Sequence, residues 1–251
     1  MTRRRFYAPP GAFEGGGASV VLSEEESRHL RDVLRLRAGD EAYVFDGEGR
    51  EFACVVAEAG GRKAASRLEV SAPAEPPSPE SPLRLTLAVA LLKGEKFDLV
   101  VQKATELGAA RVVPVVTKRA DVRLRDARDA EARVERWRRL ALEAAKQSGR
   151  ARLPRVEPPA DFHAFVSRAP RGLRLLFAER GGRGLGEAFG AQTPASVEAL
   201  VGPEGGWDDA ELDAARLGGW LLVTLGGRTL RAETAAVAVA ALLQHRLGDL
   251  K

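Results

Sequence analysis

Short apolar runs alternate with helical patterns throughout the sequence after residue 82. The runs have the length of buried strands and cover residues 84–92, 111–116, 173–179, 197–202 and 220–226. Between them, residues 94–108 and 129–149 place apolar side chains at helical spacing, and each of these segments ends at a glycine. Strands that alternate with helices in this way predict an α/β fold with a mostly parallel sheet.

The residues before this domain follow a different pattern. Short β-rich runs surround the turn DGEG, and they are preceded by a short amphipathic helical segment over residues 23–36. Within that segment, Ser23 and Glu26 have the spacing of a capping box. Together these features predict a small β-barrel with one helix.

A proline-rich segment separates the two patterns. Residues 72–82 contain five prolines and no aliphatic side chain larger than alanine, which is typical of a stiff linker. We therefore predict a barrel domain over residues 1–72, a linker over residues 73–82 and an α/β domain over residues 83–251.

Two glycine-rich loops follow the fourth and fifth predicted strands, and each opens a helix. They read VGPEGGW, from Val201 to Trp207, and LGGRTL, from Leu225 to Leu230. Glycine lets backbone approach a ligand closely, and such loops at the carboxyl ends of parallel strands commonly bind nucleotides. The first loop lacks the lysine and hydroxyl of a phosphate loop and the glycine spacing of a dinucleotide loop, and Glu204 would repel phosphate. The expected ligand is therefore a neutral or cationic adenosine compound.

The helices that follow these loops differ in character. Asp208 and Glu211 have capping-box spacing at the start of the first of them. The second is composed almost entirely of alanine and valine on several faces, so we expect it to be buried against the domain or a partner subunit.

The composition is that of an ordinary soluble globular protein, with 45% hydrophobic and 29% charged residues. No apolar run approaches the ~20 residues that span a bilayer, and the amino terminus has no apolar signal region, so we expect a cytoplasmic protein with no membrane contact. The single cysteine, Cys54, excludes an internal disulfide, and with only three histidines we expect no metal site.

The basic residues are concentrated although the formal net charge is only +4. Residues 111–155 contain 14 Lys and Arg against 6 Asp and Glu, and a second arginine cluster lies between residues 3 and 37. Arginine contacts phosphate bidentately and stacks on bases, so these clusters predict a nucleic-acid surface. The alternative is a solvated arginine-rich face.

Several segments resemble one family of methyltransferases. LVGPEGGWDDAEL and LVTLGGRTLRAETAAVAVAALL are similar to the two carboxyl-terminal motifs of the SPOUT methyltransferases. LLKGEKFDLVVQKATELGAARVVPVVTKRA, RWRRLALEAAKQSGRARLP and the amino-terminal HLRDVLRLRAGDEAYVFDG resemble the other blocks of the ribosomal RNA small subunit methyltransferase E family, RsmE. The resemblance covers nearly the whole chain.

The resemblance implies both a fold and a reaction. The fold is a PUA-like amino-terminal barrel followed by a SPOUT-type domain whose last segment forms a trefoil knot. The implied reaction uses S-adenosylmethionine to methylate N3 of a uridine in the decoding region of 16S ribosomal RNA. The implied partners are that RNA, within the 30S subunit or a late precursor, and a second copy of the chain in a homodimer. Two alternatives stay open: 2'-O-ribose methylation of tRNA or 23S ribosomal RNA, and a non-catalytic RNA-binding assembly factor.

In the implied fold, the two glycine loops and the end of the third strand surround the cofactor. The expected cofactor residues are Ala178, Glu179, Leu200, Val201, Gly202, Pro203, Glu204, Gly205, Gly206, Leu225, Gly226, Gly227, Leu230 and Ala235. For the paired glycines of the first loop, the alternative is an ordinary turn before a helix.

Three residues at the start of the last helix are expected to act in catalysis. Uridine N3 carries a proton at neutral pH, so its methylation needs that proton to leave and the resulting charge on O2 and O4 to be stabilised. Arg231 and the helix N-terminus could both face this charge. Glu233 and Thr234 could orient the base, and Glu233 could accept the proton if its pKa were raised. The alternative is a capping cluster.

The predicted RNA contacts come from both arginine clusters and from the segments that resemble the family. They are Arg4, Arg5, His29, Arg31, Arg35, Lys93, Lys103, Lys146, Gln147 and Arg150. Each of them alone could equally be a solvated side chain, and His29 could equally be a structural histidine.

Overall fold

The computed structural model describes residues 3–61, 64–189 and 193–251, which divide into two compact units. The first unit comprises the chain up to Glu80 together with Ala145–Leu153, and the second comprises Ser81–Ala144 and Pro154–Lys251. The predicted boundaries place residues 145–153 in the second domain. These residues join the first unit because Arg5 donates hydrogen bonds to three of their carbonyl oxygens, those of Ala145, Lys146 and Arg150.

The first unit contains a six-stranded sheet in the order β1-β4-β5-β6-β3-β2. Only the β1–β4 pair is parallel. The strands are β1 (Arg5–Tyr7), β2 (Phe13–Glu14), β3 (Ser19–Val21), β4 (Glu41–Phe45), β5 (Glu51–Glu58) and β6 (Arg67–Ala74). One side of the sheet buries a core that includes Phe6, Val44 and Leu68. The β-rich character predicted for this part of the chain is therefore confirmed, and β6 extends two residues into the segment predicted as linker.

The predicted helix of the first unit is present but differs in its cap. Helix α1 (Glu24–Arg28) continues into a π-helical turn, His29–Val33. The Ser23 side chain accepts a hydrogen bond from the Glu26 backbone N–H at 3.2 Å. The prediction of a full capping box is wrong in its second hydrogen bond, which would run from the Ser23 backbone N–H to the Glu26 side chain. The buried Glu26 carboxylate instead accepts a hydrogen bond of 2.8 Å from Lys146 Nζ.

The second unit is built on an eight-stranded sheet in the order β10-β8-β7-β13-β11-β14-β12, with β9 pairing to β8, and every pairing in it is parallel. The strands are β7 (Arg84–Ala90), β8 (Arg111–Val116), β9 (Arg155–Val156), β10 (Ala160–Asp161), β11 (Leu173–Phe177), β12 (Arg183–Gly184), β13 (Ser196–Val201) and β14 (Leu221–Thr224). The helices are α2 (Lys96–Glu106), α3 (Ala127–Ser148), whose last four residues belong to the first unit, α4 (Phe162–Ser167), α5 (Leu185–Ala188), α6 (Asp209–Leu217) and α7 (Ala232–Leu247). The predicted α/β fold with a parallel sheet is confirmed, while the trefoil knot stays a prediction.

Both faces of this sheet are covered, which explains why its central strands are continuous apolar runs. Along β7, Leu85, Leu87 and Val89 pack into one core with α2, α3 and α7, whereas Ala88 packs into a second core with α4 and α6. No helix of the described residues is both long enough and apolar enough to cross a membrane.

Candidate active site

A cavity of about 690 Å³ lies at the carboxyl ends of three neighbouring strands of the second unit. Strands β13 and β14 both pair with β11, so the segments that follow all three strands meet at one edge of the sheet. The lining comprises Phe177–Arg180 after β11, Val201–Glu204 after β13 and Thr224–Ala232 after β14, with Arg119, Trp207, Asp209, Leu212 and Ala235. Small-molecule sites typically have volumes of about 300–1,000 Å³, and this cavity falls within that range.

Most of the predicted cofactor residues line this cavity. They are Ala178, Glu179, Val201, Gly202, Pro203, Glu204, Leu225, Gly226, Gly227, Leu230 and Ala235. Leu200, Gly205 and Gly206 are outside the lining. Leu200 packs into the core that contains Leu176 and Trp207, because successive side chains of a strand point to opposite faces. Assignment of the lining residues to a cofactor stays a prediction, and Leu200 is the least suited of the set.

Two glycines of the first loop pack closely against other residues of the protein, which was not predicted from the sequence. A Cβ atom on Gly202 would lie 2.9 Å from Cε2 of Trp207, and one on Gly205 would lie 3.0 Å from the carbonyl oxygen of Arg119. Packing within the protein therefore opposes any side chain at Gly202 and leaves little room for one at Gly205. In the second loop, by contrast, Gly226 and Gly227 have φ values of 70° and 71° and face open space.

Trp207 fixes the geometry of the first loop although it was not among the predicted site residues. Its Nε1–H donates a hydrogen bond of 2.8 Å to the carbonyl oxygen of Phe177, the last residue of β11. The indole thus ties the end of one strand to the loop that follows its neighbour. The sequence signal was present, since a buried tryptophan N–H usually needs an acceptor.

The helix after the first loop begins as predicted. The Asp208 side chain accepts from the Ala210 N–H, and Glu211 accepts from the Asp208 N–H, which completes a capping box. Lys118 adds a hydrogen bond of 3.0 Å from Nζ to Asp208. The pKa of Asp208 lies below its ordinary value. The hydrogen bond from Lys118 is the largest cause, and the backbone hydrogen bond from Ala210 makes a smaller contribution.

Glu204 is paired rather than free to repel an anion. Its carboxylate accepts a hydrogen bond of 2.8 Å from Lys96 Nζ. Partial burial raises the pKa of Glu204, but the hydrogen bond from Lys96 and smaller contributions from backbone hydrogen bonds outweigh it, so the pKa lies below its ordinary value. Glu204 is therefore ionised at neutral pH, and sequence reasoning gave no sign of its partner 108 residues away.

Four arginines line the cavity: Arg119, Arg180, Arg228 and Arg231. Arg119 lies 3.5 Å from Asp208. Within the part of the chain that the structure describes, the exposed guanidinium groups of the other three have no ion pair. Of these four, only Arg231 was predicted from the sequence as a site residue.

The three predicted catalytic residues are placed differently from one another. Arg231 is the N-cap residue of α7, is exposed and lines the cavity. Thr234 is exposed, whereas the Glu233 side chain is only 12% exposed and lies 3.9 Å from Lys96 Nζ. Neither Glu233 nor Thr234 lines the cavity, so of the three only Arg231 faces a site where a substrate could bind.

Two of the side chains that were predicted to contact RNA, both in the first unit, are buried, so this part of the prediction is corrected. Arg5 is 8% exposed and pairs with Glu51 at 2.7 Å, and Arg150 is 3% exposed and pairs with Glu80 at 2.6 Å. Both guanidinium groups are held by internal carboxylates and so cannot reach phosphate. Lys146 is likewise engaged, with the buried Glu26.

The other RNA contacts predicted for the first unit are accessible. Arg4, Arg35 and Gln147 are exposed. Arg31 is half-buried and donates to the carbonyl oxygen of Ala64 at 3.1 Å. His29 is also half-buried, with its ring edge-on to Phe6 at 6.0 Å between centroids, which suits a structural histidine.

In the second unit, both lysines predicted to contact RNA form ion pairs near the surface. Lys93 Nζ lies 2.8 Å from Asp121, and Lys103 Nζ lies 2.8 Å from Glu106. Pairs this exposed contribute little and exchange readily with other anions, so they leave a phosphate contact open.

Metal and thiol chemistry find no support in the described residues. No group of three or more His, Cys, Asp or Glu side chains there is arranged to hold a metal ion. Burial raises the pKa of the Cys54 thiol to about 12, so it stays protonated and unreactive.

Comparison with known proteins identifies relatives of both units. The model of the RNA methyltransferase domain matches residues 79–244, and that of the RNA methyltransferase PUA domain matches residues 22–69. The PUA-like character predicted for the first domain is thus confirmed. The ribosomal RNA small subunit methyltransferase E of Synechocystis sp. is 36% identical, over 98% of this chain and 78% of the relative.

Two solved structures are similar over essentially their whole length. The ribosomal RNA small subunit methyltransferase E from Neisseria gonorrhoeae, bound to S-adenosyl methionine, has a TM-score of 0.88 and 32% identity, covering 99% of this chain and 100% of that one. A protein from Legionella pneumophila described as a putative methyltransferase, in complex with the bound cofactor SAM, has a TM-score of 0.89 and 31% identity, covering 100% of both chains.

Proposed function

Because the chain belongs to the ribosomal RNA small subunit methyltransferase E family, we propose that it methylates N3 of a uridine in the decoding region of 16S ribosomal RNA. It is a ribosomal RNA methyltransferase, and S-adenosylmethionine is its methyl donor. The observation that carries the finer proposal is the position of Arg231, which lines the cavity at the start of α7.

The cavity suits S-adenosylmethionine in both size and charge. Gly226 and Gly227 face open space and leave their backbone accessible to the adenosine portion of a ligand. The cofactor has no phosphate, so the ionised Glu204 and the nearby Glu179 and Asp209 do not oppose its binding. Its methionine portion carries a carboxylate, and the unpaired guanidinium groups at the cavity offer a counter-charge. We assign Val201–Glu204, Leu225–Leu230, Ala178, Glu179 and Ala235 to this binding site.

In this reaction the protein must stabilise the negative charge that develops on uracil. Bound S-adenosylmethionine supplies an electrophilic methyl group on its sulfonium centre. The N3 proton passes to solvent water, so that negative charge develops on uracil O2 and O4, and transfer of the methyl group to N3 leaves the cofactor as a neutral thioether. Arg231 presents a cation at the amino end of α7, where the helix dipole also favours negative charge. Holding both reactants in one cavity supplies the remaining acceleration through proximity.

We assign RNA binding to the accessible basic side chains of both units. These are Arg4, Arg31 and Arg35 in the first unit and Lys93 and Lys103 in the second. A homodimer is part of the proposal, because Leu242 is 41% exposed within the continuous apolar run of residues 235–243 in α7. The physiological substrate is taken to be 16S ribosomal RNA within the 30S subunit or a late precursor.

Methyl incorporation distinguishes the proposed substrate from the alternatives. The full-length protein is incubated with labelled S-adenosylmethionine and, separately, 30S subunits, free 16S ribosomal RNA, 23S ribosomal RNA and tRNA. Label is expected in the small-subunit RNA and most strongly in assembled 30S particles. Incorporation confined to tRNA or 23S RNA would contradict the proposed substrate, and failure to bind the cofactor would favour an assembly factor.

A further inference from the structure

Lys96 joins two segments that both contribute residues to the cavity lining. It is the first residue of α2, and its ammonium group donates a hydrogen bond of 2.8 Å to Glu204 Oε1, in the loop after β13. The same ammonium group lies 3.9 Å from Glu233 Oε2, in the first turn of α7. One side chain thus bridges three elements of the second unit.

The environment of Glu233 makes this bridge necessary. Its Oε2 atom is buried and accepts no hydrogen bond from any described residue. A buried carboxylate without a counter-charge is costly, and Lys96 is the cation that the structure places beside it. Loss of the Lys96 charge would take from both Glu204 and Glu233 the cation that they share.

The bridge is coupled to the cavity through chain neighbours. Glu204 itself lines the cavity, and Glu233 is two residues beyond Arg231, which also lines it. Because α7 begins at Ala232, a displacement of its first turn would move the Arg231 guanidinium group relative to the loop after β13. Lys96 and Glu233 do not line the cavity themselves.

We propose that Lys96 and Glu233 are positioning residues, which together with Glu204 hold the loop after β13 and the start of α7 in register around the cofactor cavity. The inference rests on the proposed function only for the role of Arg231. It also reassigns Glu233, which sequence reasoning considered as the proton acceptor. A carboxylate that faces a lysine outside the cavity is badly placed to take a proton from a base bound within it.

The first test measures cofactor affinity alone, so it does not depend on which RNA is the substrate. Isothermal titration calorimetry with S-adenosylmethionine is performed on full-length Lys96→Met, Glu233→Gln and the double variant. Each single variant is expected to weaken binding on the order of ten-fold, and the double variant to be no weaker than the worse single one, because both remove the same bridge. Lys96→Arg keeps the cation and is expected to bind within about two-fold of the parent protein.

The matched control is Arg216→Met. Arg216 pairs with Asp213 at 2.7 Å on α6, away from the cavity lining, and its loss is expected to leave cofactor affinity unchanged. The proposal would be overturned if folded Lys96→Met kept the parent affinity for S-adenosylmethionine. It would also be overturned if the losses of affinity in the two single variants added up in the double variant. If instead the bridge variants behave as expected but no 16S RNA is methylated, the failure lies with the proposed substrate.

The second test separates positioning from proton transfer. Single-turnover methylation by Glu233→Gln is followed as a function of pH at saturating cofactor and RNA. A positioning role predicts a pH profile of unchanged shape and a rate within about ten-fold of the parent protein. Loss of the rate at all pH values, or disappearance of the limb in which the rate rises with pH, would make Glu233 the proton acceptor and contradict the proposal.

Discussion

The indole of Trp207 lies directly on Gly202, so a Cβ atom at Gly202 would come within 2.9 Å of the ring. The same indole is fixed at its other end by the hydrogen bond from Nε1 to the carbonyl oxygen of Phe177. The rigid Trp207 indole ring therefore sets the spacing between the segments after β11 and β13, both of which line the cavity. The cavity owes its shape to this packing as much as to the glycines that face its interior.

Gly202→Ala is expected to weaken S-adenosylmethionine binding by about ten-fold or more, because the indole must shift away from the added methyl group and the loop must move with it. Calorimetry on the folded variant measures the effect. Gly186→Ala is the matched control, since a Cβ there meets no other atom within 4 Å. Equal affinity of both variants for S-adenosylmethionine would show that the packing of Trp207 on Gly202 does not shape the binding site.

The neighbouring residues Arg4 and Arg5 are expected to have opposite phenotypes. Arg5 is buried against Glu51, so Arg5→Met should lower the free energy of unfolding by about 3 kcal/mol, because it removes the closer of the two arginine partners of this buried carboxylate and leaves only Arg3, at 3.2 Å. Arg4 is exposed, so Arg4→Met should leave stability unchanged and weaken RNA binding, with a reduced salt dependence.

Urea unfolding followed by circular dichroism measures the first effect, and RNA affinity at several salt concentrations measures the second. A stable Arg5→Met protein, or an Arg4→Met protein with undiminished RNA affinity, would contradict the assignment of these two side chains.

Arg231→Ala is expected to lower the methylation rate far more than it lowers affinity for cofactor or RNA. Loss of one preorganised donor of this kind costs about 10² to 10³ in rate, and Arg231→Lys should recover only part, because it keeps the charge without the planar fork. Single-turnover rates at saturating cofactor and RNA decide the matter. A near-normal rate for the alanine variant would mean that Arg231 only binds RNA or caps α7.

Glu204 is expected to contribute a pH-dependent stability. Its pKa in the folded protein lies below the ordinary value of 4.5, so its contribution is present above about pH 4.5 and is lost as the pH falls through the lowered folded-state value. Glu204→Gln should therefore destabilise the second unit at neutral pH and make no difference in strong acid. The three tryptophans all lie in this unit and report its unfolding by fluorescence. A stability difference that is independent of pH would exclude the ion pair as its cause.

The sequence predicted the elements whose signals are local. The strand of residues 197–202, the helix cap at Asp208 and the meeting of two glycine loops at one sheet edge follow from periodicity, capping chemistry and the parallel order of strands. The contacts that define the site join distant residues, as Lys96 joins Glu204, and no local pattern encodes them. For the same reason Arg4 and Arg5 look alike in the sequence, although tertiary packing buries only one of them.

The identity of the modified nucleoside tests the central claim most directly. Small-subunit RNA that has been treated with the protein and S-adenosylmethionine is digested to nucleosides and analysed by mass spectrometry against standards, with RNA treated with Arg231→Ala as the control. The account predicts 3-methyluridine from a single site of 16S ribosomal RNA and far less of it with the variant. A 2'-O-methylnucleoside, or methylation at a ring position other than N3, would contradict it.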